Sequence, residues 1–313
     1  MSGDDDSSGW QLTESDPGVF SELLSTLGVP YIVDELWSLD PDVLNTLNPA
    51  PRAFIFLFKW MAGAAASGGG SGEYDPAFAG FFAHQTVNNA CATLAVMNAL
   101  GNLRDAEMGT DLKEVFEFSR ELDPQTRGMA LVSSLFLRSA HNALSPPQVV
   151  SLDGLNLPKK TEDAYHFVVY LPVNGALYEL DGLKPHAVRH GPVPTGDGWL
   201  DVARETVNAR IATYPAGAIH FSLLALRPDP IPVLQAQLEV IPDDGMALAA
   251  LEQEQEKRKR WNFENSLRKA NHLPLIHALV GALAKSGGLD SALTNAREKM
   301  RVRRERGRDD DDD

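Results

Sequence analysis

His166-Phe-Val-Val-Tyr-Leu-Pro-Val173-Asn174-Gly175-Ala176-Leu-Tyr-Glu-Leu-Asp181 sets two apolar, aromatic and β-branched runs on either side of Asn-Gly, the strongest short-range hairpin signal there is. If Asn174-Gly175 is a two-residue turn closed by Val173 and Ala176, Asp181 faces Val168 across an antiparallel ladder. His166 lies two residues from Val168 and shares its face, so Asp181 is the diagonal cross-strand neighbour of His166, within hydrogen-bond reach. The stretch therefore predicts an antiparallel sheet carrying an imidazole beside a carboxylate. A half-buried histidine and an unrelated turn aspartate would read the same way, so the pair gains chemical meaning only from a third residue.

Cys91 is that candidate. It is the single cysteine of 313 residues, which rules out an internal disulfide or a cysteine-based zinc cluster and leaves a small buried hydrophobe or a working thiol. Cys91, Leu94, Ala95, Met97 and Leu100 predict a helix from Asn89 to about Leu103, buried nearly all round. Asn89 reads as its N-cap, which puts Cys91 in the first turn, where backbone N–H groups and the helix dipole favour a thiolate. Taken alone, a cysteine opening an apolar helix also reads as packing. A nucleophile needs a base and a group that orients it, and His166 with Asp181 supplies both.

The other histidines, at 84, 141, 186, 190, 220, 272 and 277, have no acidic partner placed this way. His186 and His190 are spaced as in metal sites but lie among Pro185, Gly191 and Pro192 with no third ligand nearby, so neither a metal nor a cofactor is expected. Ser67 to Gly72 is glycine- and serine-rich. No Gly-Lys-Ser/Thr follows, so it reads as a flexible loop insertion and not as a phosphate loop.

Outward from these segments, Asp16-Pro17 followed by Val19, Phe20, Leu23, Leu24, Leu27 and then Gly28 predicts a first helix with an N-cap, a proline at its first position and a glycine stop. Phe54-Ile-Phe-Leu-Phe58 reads as a buried central strand, and a further strand is expected at Ala218 to Leu226. Residues 1–9 are acidic and polar and are expected to be disordered. The catalytic domain is expected over 10–228, a linker over 229–244, a separate helical module over 245–308 and an acidic tail at 309–313. In that module one charged helix runs to His272, a second spans Pro274 to Lys285, and a third starts at Leu289 after Gly287-Gly288. The stretch from about Asn142 to Glu162 reads as a long irregular loop.

Composition bounds the partners. With 43% hydrophobic residues the chain can bury one substantial core. The net charge is −15, yet residues 245–308 hold 14 lysines and arginines against 7 acidic residues. The acidic body suits a basic partner and argues against nucleic acid as the main ligand. The amino end lacks a signal-peptide pattern, and the most apolar stretch, Ala53 to Ala66, is interrupted by Lys59 and too short to span a bilayer. An intracellular protein without membrane attachment is expected.

Gln85-Thr-Val-Asn-Asn-Ala-Cys91, with Phe81-Phe82 ahead of it, resembles the Gln-x-x-x-Asn-x-Cys signature of the ubiquitin C-terminal hydrolases. Asp163-Ala-Tyr-His166-Phe and Leu177-Tyr-Glu-Leu-Asp181-Gly are similar to the family's histidine and aspartate segments, in the same order. Glu14 to Phe20 and Glu35 to Leu39 resemble its amino-terminal blocks, so the likeness covers roughly residues 10–226. It implies an α/β (α+β) fold of the papain-like cysteine protease type, with a central antiparallel sheet flanked by helices and a C-terminal helical extension. It also implies deubiquitination, with Cys91 as nucleophile, His166 as general acid and base, Asp181 as its orienter and Gln85 in the oxyanion hole. Arg260-Trp-Asn-Phe-Glu-Asn265 and His272-Leu-Pro-Leu-Ile276 resemble the extension of the proteasome-associated long-form members and their chromatin-linked cousin. The partners so implied are ubiquitin and, through residues 245–308, an adaptor in the proteasome's ubiquitin-receptor subunit or in a chromatin-remodelling complex, in cytoplasm and nucleus. The other readings are a catalytically silent ubiquitin-binding scaffold and a hydrolase for another ubiquitin-like modifier.

Overall fold

The computed structural model describes residues 8–59, 72–103, 105–145, 165–214 and 221–309. Strands β1 (Tyr31–Glu35), β2 (Ala53–Lys59), β3 (Glu73–Asp75), β4 (Tyr165–Val173), β5 (Ala176–Leu180), β6 (Ala187–Pro192) and β7 (Phe221–Pro228) form one sheet in the order β1-β7-β2-β4-β5-β6-β3, every pair antiparallel. The helices are α1 (Pro17–Thr26), α2 (Pro41–Leu44), α3 (Cys91–Leu100), α4 (Thr110–Ser119), α5 (Pro124–Ser133), α6 (Leu135–Asn142), α7 (Trp199–Ile211), α8 (Pro230–Val240), α9 (Gly245–Lys269), α10 (Leu273–Lys285) and α11 (Leu289–Asp309).

Alternation along the central strands gives the sheet two buried faces. Ile55, Val169 and Leu224 pack with α1 and α3, whereas Phe54, Phe56, Val168 and Tyr170 pack with Trp199, Ala203 and Val207 of α7. Such a strand must be apolar at every position, which is what Phe54 to Phe58 is. The expected α+β architecture with an antiparallel sheet flanked by helices is the one observed. The hairpin forms as read, with Val173 opposite Ala176 and Val169 opposite Leu180. Asn174 and Gly175 both take positive φ, 48° and 80°, as a turn matching the strand twist requires.

Two expectations about boundaries give way. Residues 229–244, read as a linker, contain α8, whose Asp229 carboxylate accepts from the Ile231 amide; Asp229-Pro230 repeats the cap-and-proline signal of Asp16-Pro17. The compact body also runs through Lys269 and so takes in α9. Trp261 is buried against Gly18, and Asn265 donates to the Gly18 carbonyl at 3.0 Å. Asp34 adds ion pairs to Lys257 and Arg227 at 2.8 and 2.6 Å. The charged face hides a docking stripe, because Trp261 and Asn265 stand one helical turn apart. From Ala270 onward the chain forms a second unit in which α10 and α11 pack on each other.

Residues 1–7, most of the Gly/Ser stretch and all of 146–164 lie outside the described residues. Ser8 and Gly9, expected to be disordered, already bond to Trp10 and Asn142. No helix among the described residues is long and apolar enough to cross a membrane.

Candidate active site

Helix α3 begins at Cys91 and buries every residue from Ala92 to Leu100. Its N-cap is Ala90 in helical conformation, with no side chain capping the first turn. Asn89, expected in that role, instead sits in the left-handed region at φ 64° and donates its Nδ2 to the Trp10 carbonyl at 3.2 Å. Asparagine tolerates this conformation better than other non-glycine residues. Without a capping oxygen among the described residues, the first-turn amides beside Cys91 suit an incoming anion. Cys91 itself is half-buried.

His166 is the second residue of β4, opposite Phe58 of β2, whose ring meets it edge-on at 5.8 Å. Its Nε2 lies 2.6 Å from Oδ1 of Asp181, both side chains being buried, and the same ring interacts with the Cys91 side chain. With Nε2 given to the carboxylate, Nδ1 is the nitrogen left for the sulfur. Burial pushes the imidazole toward neutrality, but the bonds and negative charges of Asp181 and Cys91 outweigh it and raise the pKa to about 9. The site thus favours the protonated form of the His166 ring. Asp181 lies just past the end of β5 and is held there by the Leu183 amide, which donates to the same Oδ1 at 2.9 Å.

Gln85 joins this cluster through the main chain, its amide donating to the Gly182 carbonyl at 2.8 Å. A Cβ on Gly182 would lie 2.9 Å from that amide nitrogen, so the absence of a side chain permits the approach. Gln85 Oε1 is buried and has no hydrogen-bond partner among the described residues, and a buried unsatisfied polar atom calls for a functional explanation.

Two histidines have structural employment. His190 Nε2 turns inward to Glu179 at 3.1 Å, which accounts for it without a metal. His141 was passed over in the sequence because it lacks an acidic partner. It is buried, bonds Thr93 Oγ1 through Nδ1 at 2.7 Å and donates Nε2–H to the Gln11 carbonyl at 2.7 Å. Burial lowers its pKa, and it ties the chain at Gln11 to the helix that begins at Cys91.

Residues 10–212 match the family model described as ubiquitin carboxyl-terminal hydrolase, family 1, and residues 245–289 match a second model, ubiquitin carboxyl-terminal hydrolases. The chain is 36% identical to the Caenorhabditis elegans ubiquitin carboxyl-terminal hydrolase ubh-4, covering 95% of each, and 36% identical to ubiquitin carboxyl-terminal hydrolase 2 of Schizosaccharomyces pombe, covering 88% of this chain and 91% of the relative. Among solved structures it is similar to Trichinella spiralis UCH37 bound to ubiquitin vinyl methyl ester, at a TM-score of 0.66 and 32% identity, covering 81% of this chain and 99% of the other. A cysteine, an imidazole and a carboxylate brought together at the end of an antiparallel sheet, in a chain matched over nearly its whole length, make this protein a member of the ubiquitin carboxyl-terminal hydrolase family and a deubiquitinating hydrolase.

Proposed function

We propose that Cys91 is the nucleophile of this hydrolase, His166 its general acid and base, Asp181 the group that orients His166, and Gln85 an oxyanion donor, which makes the enzyme a cysteine-type omega peptidase. The observation that carries this reading is the 2.6 Å bond from Asp181 to a buried histidine that also interacts with the Cys91 side chain. The sulfur attacks the carbonyl carbon of ubiquitin's terminal glycine while the Gln85 side-chain N–H and the Cys91 backbone N–H receive the developing oxyanion. The C–N bond breaks as His166 gives its proton to the leaving amine, leaving a thioester. His166 then takes a proton from water, the water oxygen attacks the thioester, and the sulfur departs. Thioesters, esters, peptides and isopeptides at the same glycine fit this chemistry.

The acidic body draws the basic tail of ubiquitin through on-rate, an effect weakened by salt. Outside the body, α10 exposes Leu275, Ile276, Leu279 and Val280, an apolar surface suited to an adaptor of the proteasome's ubiquitin-receptor subunit or of a chromatin-remodelling complex. We place the enzyme in ubiquitin-dependent catabolism in cytoplasm and nucleus.

Hydrolysis of ubiquitin bearing a fluorogenic C-terminal amide tests the chemistry. Turnover should vanish in Cys91→Ala and fall by on the order of 10³-fold or more in His166→Ala. Turnover by Cys91→Ala would overturn the assignment.

A further inference from the structure

The segment Phe81–Gln85 belongs to no helix or strand, and its partners are largely side chains. Asn102 accepts the Phe81 amide at 2.9 Å and donates to the Phe81 carbonyl at 2.8 Å. Asn98 does the same for Ala83, at 2.8 and 3.2 Å. A carboxamide offers donor and acceptor in one plane, so each asparagine replaces one rung of a missing strand. On the other edge Arg127 donates Nη1 to the Phe82 carbonyl at 2.7 Å, and the His84 amide donates to the Pro124 carbonyl at 2.9 Å. The remaining bonds of Arg127 go to the carbonyls of Ser119, Arg120 and Leu122 at the end of α4. Every residue from Phe81 to Gln85 is therefore held by its main chain.

Asn98 is 1% exposed in a helix otherwise filled by apolar residues and Thr93, a position where an aliphatic side chain would be the default. It stands seven residues after Cys91, two helical turns along the same stripe. Phe81 lies beside Asn102 and Ala83 beside Asn98, so the segment runs antiparallel to α3. Two extended residues advance about 6.6 Å and four helical residues about 6 Å. Gln85 therefore comes level with about Leu94, roughly one turn from Cys91.

We propose that Asn98 is a positioning residue for the hydrolysis: from the nucleophile's own helix it fixes the Phe81–Gln85 segment, and with it the distance from the Gln85 carboxamide to Cys91. This rests on the reading of Gln85 as an oxyanion donor. The helix then serves as a ruler between nucleophile and donor.

The test is steady-state hydrolysis of the fluorogenic ubiquitin amide by the full chain carrying Gln85→Ala, Asn98→Leu or both. Gln85→Ala should lower kcat by about 10²–10³-fold. A misplacement of about 1 Å can lower a rate on the order of 10²-fold, so Asn98→Leu should lower kcat by roughly 10- to 100-fold with KM nearly unchanged, and the double variant should be no slower than Gln85→Ala. Wild-type kcat in Asn98→Leu, or losses that multiply in the double variant, would overturn the proposal while leaving Gln85 in its role. An unchanged kcat in Gln85→Ala would overturn both. If Asn98→Leu does not fold, Asn102→Ala at the partly exposed neighbouring rung carries the same test: a smaller kcat loss that disappears in the Gln85→Ala background supports the ruler, and one that multiplies with it refutes it.

Discussion

The Asp181 carboxylate takes Nε2 of His166 and raises the pKa of a buried imidazole; in the proposed mechanism it thereby fixes which ring nitrogen serves the sulfur. Replacing it by asparagine leaves the shape and removes the charge. In Asp181→Asn burial pulls the imidazole down from about 9, so the alkaline limb of the kcat/KM profile moves to lower pH and the rate falls by on the order of 10²-fold or more, since a neutral orienter also admits the wrong tautomer. A folded-state pKa raised above the ordinary 6.5 stabilises the fold fully below that value and ceases to do so as pH rises through about 9. The stability gap between wild type and Asp181→Asn, measured by urea unfolding, should be widest below pH 6.5 and narrow toward pH 9. The pair was legible because an Asn-Gly turn fixes every rung of its ladder. Asn89 was misread because its partner, the Trp10 carbonyl, lies 79 residues away, and no local pattern announces it. Asn98 and Arg127 left no trace for a related reason: their partners are backbone atoms, which carry no residue-type signal.

Strand β5 carries a second buried acid, Glu179, two residues before Asp181. Glu179, 1% exposed, accepts from Lys184 at 2.7 Å and Arg210 at 2.8 Å, and from the Tyr170 hydroxyl and His190 at 3.1 Å. Burial favours the neutral acid, but His190, Arg210 and Lys184 overcome it and hold the carboxyl well below the usual carboxylate range. Its stabilisation is therefore present above its ordinary value of 4.5 and is lost as pH falls below it. Glu179→Ala leaves buried cations uncompensated and should destabilise the fold by about 3–5 kcal/mol near neutral pH, an effect that shrinks in acid and can be followed by denaturant midpoints. Elements with a local signature were readable, namely the capped α1, the all-apolar β2 and the β4–β5 hairpin. Strands β3 and β6 were not: β3 has three residues, and β6 bulges against β5 between Leu177 and Tyr178. Helices α4 to α7 carry mixed faces whose burial is decided by what packs over them.

On the scale of the molecule, the body ends at Lys269 and not where the basic composition begins. Charge described the outer face of α9 correctly and concealed Trp261 on the inner one. Trp261→Ala should therefore cost about 3–5 kcal/mol of catalytic-body stability in urea unfolding. A chain ended at Lys269 should keep that stability, and one ended at Asp244 should not. The single sulfur has a consequence for the population of molecules as well. Because Cys91 is the one thiol in the chain and stands half-open to solvent, a stoichiometric thiol reagent counts the molecules whose Cys91 is still reduced, one for one. The same solitude shapes its response to peroxide: a sulfenic acid at Cys91 has no second cysteine in the chain to resolve it, so recovery must come from an external thiol before irreversible overoxidation sets in.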